Sequence, residues 1–370
     1  MNWRSLFSPF KRLDPFFVLA TLGLIGVGLL FIYSASYRAE EGMLTAMTRK
    51  QMGWALAGLA MMFGVARYDY RALMGHAWLL YVGGVVLLLL VLIAGVKVYG
   101  AYRWLNVFGI RVQPSEFAKL GALIAMAAYL AHPSRRLEDP QTMAVVLGLC
   151  GLPFLLIMQQ PDLGTAMTLL PMAFMLLFVA GVPLRSLLVL AAIGLALLPL
   201  GWWIIDDYQR ERLLVFLDPG RDPLGAGWNK IQSEIAVGSG GLRGKGFLMG
   251  TQNILGFLPR TVAPTDFIFS VIAEESGFLG CLAVLCLYLV LFASGVRAAW
   301  RARDLFGRLL AVGMVSLVFS HVFVNVAMTI GMMPITGLPL PLISYGGSFM
   351  VTTLIGFGII QSVYVHRITR

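Results

Sequence analysis

Apolar stretches of membrane-crossing length recur along the whole chain, separated by short polar breaks and one long one. They fall near residues 16–36, 52–66, 78–96, 115–131, 143–158, 164–182, 186–204, 267–296, 308–331 and 344–365. A helix needs about 20 mostly apolar residues to cross roughly 30 Å of hydrocarbon, so the pattern predicts about ten transmembrane helices. The long polar segment, about 205–266, lies between the seventh and eighth of them. A second irregular segment, Gly331 to Gly347, holds Pro334, Pro339 and Pro341. Prolines cannot continue a lipid-facing helix, and irregular backbone at membrane depth is tolerated where protein covers it or a cavity runs past it. The segment at about 332–345 is therefore expected to fold back and close a cavity. The expected architecture is an all-α polytopic membrane protein, residues 1–370 forming one transmembrane domain with a large extracytoplasmic loop. No internal repeat supports a transporter of the inverted-repeat kind.

Composition agrees with the pattern. The chain is 59% hydrophobic and 12% charged, against roughly 25% charged in soluble domains. Its net charge of +10 comes without a basic run or an aromatic platform, so nucleic acid is not an expected partner. Alternating the connections gives one side Arg4, Lys11, Arg12, Arg67, Arg71, Arg135, Arg136, Arg185, Arg297, Arg301, Arg303, Arg308, Arg367 and Arg370. The opposite short loops hold Arg38, Arg49, Lys50, Lys97, Arg103 and Arg111. This bias predicts both termini in the cytoplasm and the long loop outside. The basic start, Met1 to Arg12, is read as leading into a retained first span, because Ser34-Ala35-Ser36 is a poor cleavage site. Cys150, Cys281 and Cys286 lie inside apolar runs and read as small core residues. His76, His132, His321 and His366 form no metal motif.

Charged side chains in and beside the spans need a reason. Glu116 and Lys119 stand three apart and share a helix face. They are either a salt bridge that makes both tolerable or a polar cavity wall where Lys119 meets a phosphate. Asp162, in Gln159-Gln160-Pro161-Asp162-Leu163-Gly164-Thr165, reads first as a turn residue capping the next helix. Asp207 to Arg212 suits a short interfacial helix with Arg210 and Arg212 near the headgroups. The glycine-dense stretch ending in Arg243-Gly244-Lys245-Gly246 has amides and cations suited to a diphosphate. It fails as a P-loop, since Ser239 replaces the first glycine and Gly246 the final Ser/Thr. Glu274 and Glu275 are either a proton path or an anchor. Asp266 ends the long polar segment, directly before an apolar run. A carboxylate there can act on a substrate that is half lipid and half polar, or it can serve the helix dipole alone.

Together, Gln113-Pro114-Ser115-Glu116-Phe117-Ala118-Lys119, Gln160 to Thr165, Gly238 to Gly246, Thr265-Asp266-Phe267-Ile268-Phe269 and Leu338 to Ser348 resemble the SEDS family (shape, elongation, division and sporulation), in family order. The resemblance is to its rod-elongation branch, RodA, more than to its division branch, FtsW. It implies a polymerase of bacterial cell-wall peptidoglycan in the cytoplasmic (inner) membrane, acting at the outer face on lipid II. It makes Asp266 the essential aspartate, as general base for the acceptor hydroxyl or as ligand of a divalent cation (Mg or Mn). Lys119, Glu116, Arg210, Lys245, Asp162 and Ser344 become substrate-binding candidates, with Lys119, Arg210 and Lys245 offsetting the charge of the leaving diphosphate. The implied partners are a class B penicillin-binding protein, the elongation machinery including MreB, and membrane lipid. A lipid II flippase, a division-type polymerase and a pure scaffold are the competing readings.

Overall fold

A computed structural model describes residues 12–37, 44–98, 101–107 and 109–368. The basic segment at residues 1–11, with Arg4 and Lys11, and Arg38 and Arg370 lie outside the described residues.

Ten helical segments stand where the apolar runs predict spans. They are α1 (Pro15–Ser36), α2 (Ala46–Arg67), α3 (Ala72–Ala94), α4 (Pro114–Leu130), α5 (Pro140–Met158), the consecutive α6 (Leu163–Met167) and α7 (Leu169–Ala180), α8 (Leu184–Ile204), α12 (Ile268–Trp300), α13 (Leu305–Thr329) and α14 (Gly347–Val365). Eight of these segments are long and apolar enough to cross a membrane by themselves. The two others are α2, which carries Arg49, Lys50 and Arg67, and the 17-residue α4, which holds Glu116 and Lys119. The charges of α2 lie exposed near its two ends, whereas those of α4 are covered by neighbours. α2 runs along α14, and nearly every residue of α4 is buried. A Cβ at Gly358 would stand 2.7 Å from the Met62 carbonyl oxygen, so the α2–α14 approach depends on a missing side chain. By contrast α8 is exposed or half-exposed along its length except at the buried Leu187 and stands at the rim of the bundle.

Helix starts follow ordinary chemistry. Asp14 accepts from the amide of Phe16 at 3.1 Å, with Pro15 beside it, and Asp304 accepts from Gly307 at 2.8 Å. Cys150 is buried as expected, whereas Cys286 is exposed on the bundle's outer face.

Two features were not expected. Residues 96–112 form a three-stranded antiparallel meander, β1 (Val96–Val98), β2 (Ala101–Val107) and β3 (Ile110–Val112). The long polar segment, beyond the expected short helix from Asp207, here α9 (Asp207–Leu217), holds two further helices, α10 (Ala226–Ser239) and α11 (Thr251–Ile254).

Alternate connections meet at opposite ends of the bundle. At one end Asn253 Nδ2 donates to the Ser34 carbonyl at 3.0 Å, and Arg212 Nη1 to that of Ile335 at 3.1 Å. At the other, the Asp14 amide donates to Gln361 Oε1 at 3.0 Å and Tyr70 Oη to Asp304 Oδ2 at 2.8 Å.

Candidate active site

Asp266 sits in a turn fixed from three directions. Its amide donates to the Val262 carbonyl at 3.0 Å. Asn325 of α13, fully buried, donates through Nδ2 to the carbonyls of Asp266 (2.8 Å) and Leu338 (2.7 Å). The Tyr345 amide donates to Pro264 at 2.9 Å, and Ser344 Oγ donates to Thr265 at 2.5 Å while accepting from Leu340 at 2.8 Å. Gln51 grips the same segment, donating to Ser344 and accepting from Gly346, both at 3.1 Å. The proline-rich segment therefore does fold back against Asp266.

The first residue before α12 is Phe267, and no side chain caps that helix. Asp266 therefore stands one residue outside the cap position and makes no cap hydrogen bond, and its carboxylate lies against the proline-rich segment. There it faces Gly337, whose φ of +74° is open to glycine. A Cβ on Gly337 would lie 3.5 Å from Asp266 Oδ2 and 3.7 Å from Arg212 Nη1. One small space is thus shared by a carboxylate and a guanidinium. Asp266 is only partly exposed. Its pKa is raised to about 6, first by loss of water and further by Asp162, against the lowering effect of Arg212 and Arg103.

Arg103 of β2 acts on Asp266 as well. Its guanidinium donates to the carbonyls of Gln160 (3.2 Å) and Pro161 and stands 3.7 Å from Asp162 Oδ1. Asp162 itself caps α6, accepting from Thr165 at 3.2 Å, and accepts from Gln113 at 3.3 Å. Its capping reading holds, and it also lies close enough to act on Asp266.

The other predicted residues lie elsewhere. Lys119 Nζ is 2.9 Å from both Glu116 Oε1 and His321 Nε2, and these three side chains are almost wholly buried. They line a small cavity with Leu120, Met314 and Phe349. Arg210 does lie on the expected short helix. However, it donates to the Trp202 and Trp203 carbonyls at the end of α8 and pairs with Asp207 at 3.0 Å. Two positions on a helix differ by about 200° in direction, so it is Arg212 that turns toward Asp266. Ser344 is bonded to backbone on both sides and is 1% exposed, which makes it a positioning residue and not a substrate contact.

Lys245 also changes role. It donates to Glu274 Oε1 and Thr251 Oγ1, both at 2.7 Å. The glycine-dense turn around it spends its amides on α12, Lys245 N on the Glu274 carbonyl and Gly246 N on that of Glu275. Those amides are not free for a diphosphate. Glu275 accepts from Ser34 Oγ at 2.5 Å and from the Leu248 amide at 3.2 Å. Both glutamates are anchors. The turn fits because α12 breaks at Gly277 (φ 64°, ψ −163°), where a Cβ would meet Gly244 N at 2.3 Å. The half before the break, Ile268 to Glu275, is covered by protein.

Among the described residues, no group of three or more His, Cys, Asp and Glu side chains comes together. At Asp266 the second carboxylate, Asp162, is already capping and ion-paired, and two guanidinium groups share the space. That donor set does not fit a divalent cation. Sequence reading missed Arg212 as a partner of Asp266, and it missed Arg103, Asn325 and His321. The available signal was that Asn325 and His321 are polar and four apart in a mostly apolar helix.

The bundle and its site define a polytopic all-α membrane protein with a carboxylate set near two guanidinium groups. The family model FTSW_RODA_SPOVE, described as "Cell cycle protein", matches residues 15–369, and the chain belongs to that family. "Peptidoglycan glycosyltransferase MrdB" of Escherichia coli (strain K12) is 41% identical, covering 96% of this chain and 94% of the relative. "Peptidoglycan glycosyltransferase RodA" of Treponema pallidum (strain Nichols) is 34% identical, covering 96% and 98%. A solved structure described as "Structural coordination of polymerization and crosslinking by a peptidoglycan synthase complex" matches with TM-score 0.79 and 33% identity, covering 96% of this chain and 98% of that one.

Proposed function

We propose that the chain is a peptidoglycan glycosyltransferase that polymerises lipid II into glycan strands for cell elongation. On this reading it lies in the bacterial cytoplasmic membrane, both termini inside and Asp266 at the outer face. The observation that carries it is an aspartate that caps no helix, set among Arg212, Arg103 and Asp162 with its pKa raised to about 6 by burial, in a chain related along its length to glycosyltransferases. A base with that pKa is mostly ionised at neutral pH yet basic enough to take a proton in the transition state.

The acceptor sugar's 4-hydroxyl attacks the anomeric carbon of the donor. The new C–O bond forms as the bond from that carbon to the phosphate oxygen breaks. The electron pair leaves on the lipid diphosphate, and the hydroxyl proton passes to Asp266. The turn-fixing bonds from Asn325, Ser344 and Tyr345 hold the carboxylate in place, which is the positioning such a reaction needs. A class B penicillin-binding protein, crosslinking the product, is the proposed partner, and MreB belongs to the proposed elongation assembly.

The test is glycan formation from purified lipid II by wild type and Asp266→Asn, each with its cognate transpeptidase. Polymer from wild type only, with lipid II binding retained in the variant, is the expected result. Polymer from both would move the base elsewhere, and polymer from neither would favour lipid II translocation.

A further inference from the structure

With Lys119 bound by Glu116 and His321, Arg210 spent on the end of α8 and Lys245 on Glu274, the departing diphosphate needs another cation. Arg212 is the one that stands beside Asp266. It lies on the protein-facing side of α9, three residues from the buried Gln209. Its Nη1 shares the space over Gly337 with Asp266 Oδ2. The guanidinium is aimed by three contacts: Nη1 donates to the Ile335 carbonyl at 3.1 Å, Nη2 donates to the Tyr208 hydroxyl, and the Tyr208 ring lies 4.6 Å away. Arg103, the other guanidinium near Asp266, is already committed to Asp162 and two carbonyls. Arg212 is also only half-buried, so an incoming anion can reach it.

We infer that Arg212 is a catalytic residue that takes up the charge of the leaving lipid diphosphate. This inference rests on the glycosyltransferase reading. The step moves one electron pair onto a phosphate oxygen, and the diphosphate gains one negative charge as Asp266 loses its own by taking the proton. A guanidinium that shifts from the carboxylate to the diphosphate stabilises the leaving charge and releases Asp266 to take the proton. With no anion bound it faces the Asp266 carboxylate and keeps it ionised, and as charge builds on the diphosphate its two-pronged donors turn to phosphate oxygens. The groups facing Asp266 are then Arg212 from α9, Arg103 from β2 and Asp162 at the start of α6. Only Arg212 has a donor edge free of a second carboxylate.

The test compares wild type, Arg212→Lys and Arg212→Gln with the cognate transpeptidase, reading single-turnover rate, pH profile and inhibition by inorganic pyrophosphate. Loss of one donor to developing charge costs about 100-fold to 1000-fold in rate, and that is the fall expected for R212Q. R212K should recover part of it. In R212Q the acid limb of the profile should move to higher pH, because a cation that lowers the Asp266 pKa is gone. Pyrophosphate should inhibit wild type and fail to inhibit R212Q. A purely structural Arg212, holding only the Ile335 segment, would lower the rate through a lower Tm with pyrophosphate inhibition and the acid limb unmoved. That result, or an R212Q rate within several-fold of wild type, would overturn the inference and leave the glycosyltransferase reading intact. A wild-type chain that makes no polymer would overturn both.

Discussion

At the scale of single residues, Asp266 carries opposite demands from stability and from chemistry. Burial raises its pKa from 3.8 to about 6 in the folded chain, so the folded state binds a proton more tightly than the unfolded one. The stability this group contributes is fully present below about pH 4 and is lost as pH rises through about 6. At neutral pH its charge therefore strains the fold, while the proposed reaction requires that charge. Two measurements follow with opposite signs. Polymerisation should fall as pH drops through about 6, following one ionisation. Asp266→Asn should melt higher than wild type at pH 7.5 and equal to it near pH 4, although it makes no polymer. An aspartate serving only the fold would reverse the thermal result, its replacement lowering the Tm at neutral pH. The cost accepted here is the kind expected where function overrides local stability.

At the scale of elements, the break in α12 decides where Asp266 stands. The half ending at Glu275 is gripped by the turn at 240–250, and the half from Phe278 onward carries lipid-exposed Leu282 and Leu289. Gly277 permits this by adopting φ 64° against the backbone of Gly244. Gly277→Ala should cost at least about 2 kcal/mol, combining left-handed strain with a backbone clash. It should also lower the melting temperature more than Gly148→Ala, at an open helical position. Equal effects would mean the break is not held by the turn. This element also marks what the sequence conceals. The ten helical segments were legible, because hydrocarbon thickness imposes long apolar runs that need no partner to be recognised. The α12 break was not, since residues 267–296 read as one span and Gly277 is one of three glycines in it, with Gly280 and Gly295, none of which alone marks a break. Strands of three residues, as in β1 and β3, fall below any readable period. Asp266 and its proline-rich wall were legible from polarity at a membrane edge, whereas Arg212 required knowing which face of α9 turns inward. Arg210 and Arg212 look alike until that face is fixed.

At the scale of the whole molecule, the bundle is stitched through a charged cluster in its own centre. Lys119 and Glu116 of α4 meet His321 of α13, and the His321 ring lies 4.9 Å from that of Phe349 on α14. One turn on, Asn325 of the same α13 holds Asp266. The pair was open from sequence to two readings, salt bridge or substrate wall, and its near-complete burial makes those readings separable. With neither water nor headgroups to take up a stranded charge, removing one partner of such a pair costs about 3–5 kcal/mol, whereas removing both together costs far less. Glu116→Gln and Lys119→Met should therefore each lower the melting temperature sharply. The double variant should melt closer to wild type than either single one, with a coupling of about 2 kcal/mol or more. Additive losses would show that the two charges are not each other's main support. The double variant then isolates chemistry from folding. A stable double variant that still polymerises lipid II assigns the pair to architecture alone. One that folds, binds its transpeptidase and makes no strand places Lys119 at the substrate, reached through the cavity beside Leu120 and Met314.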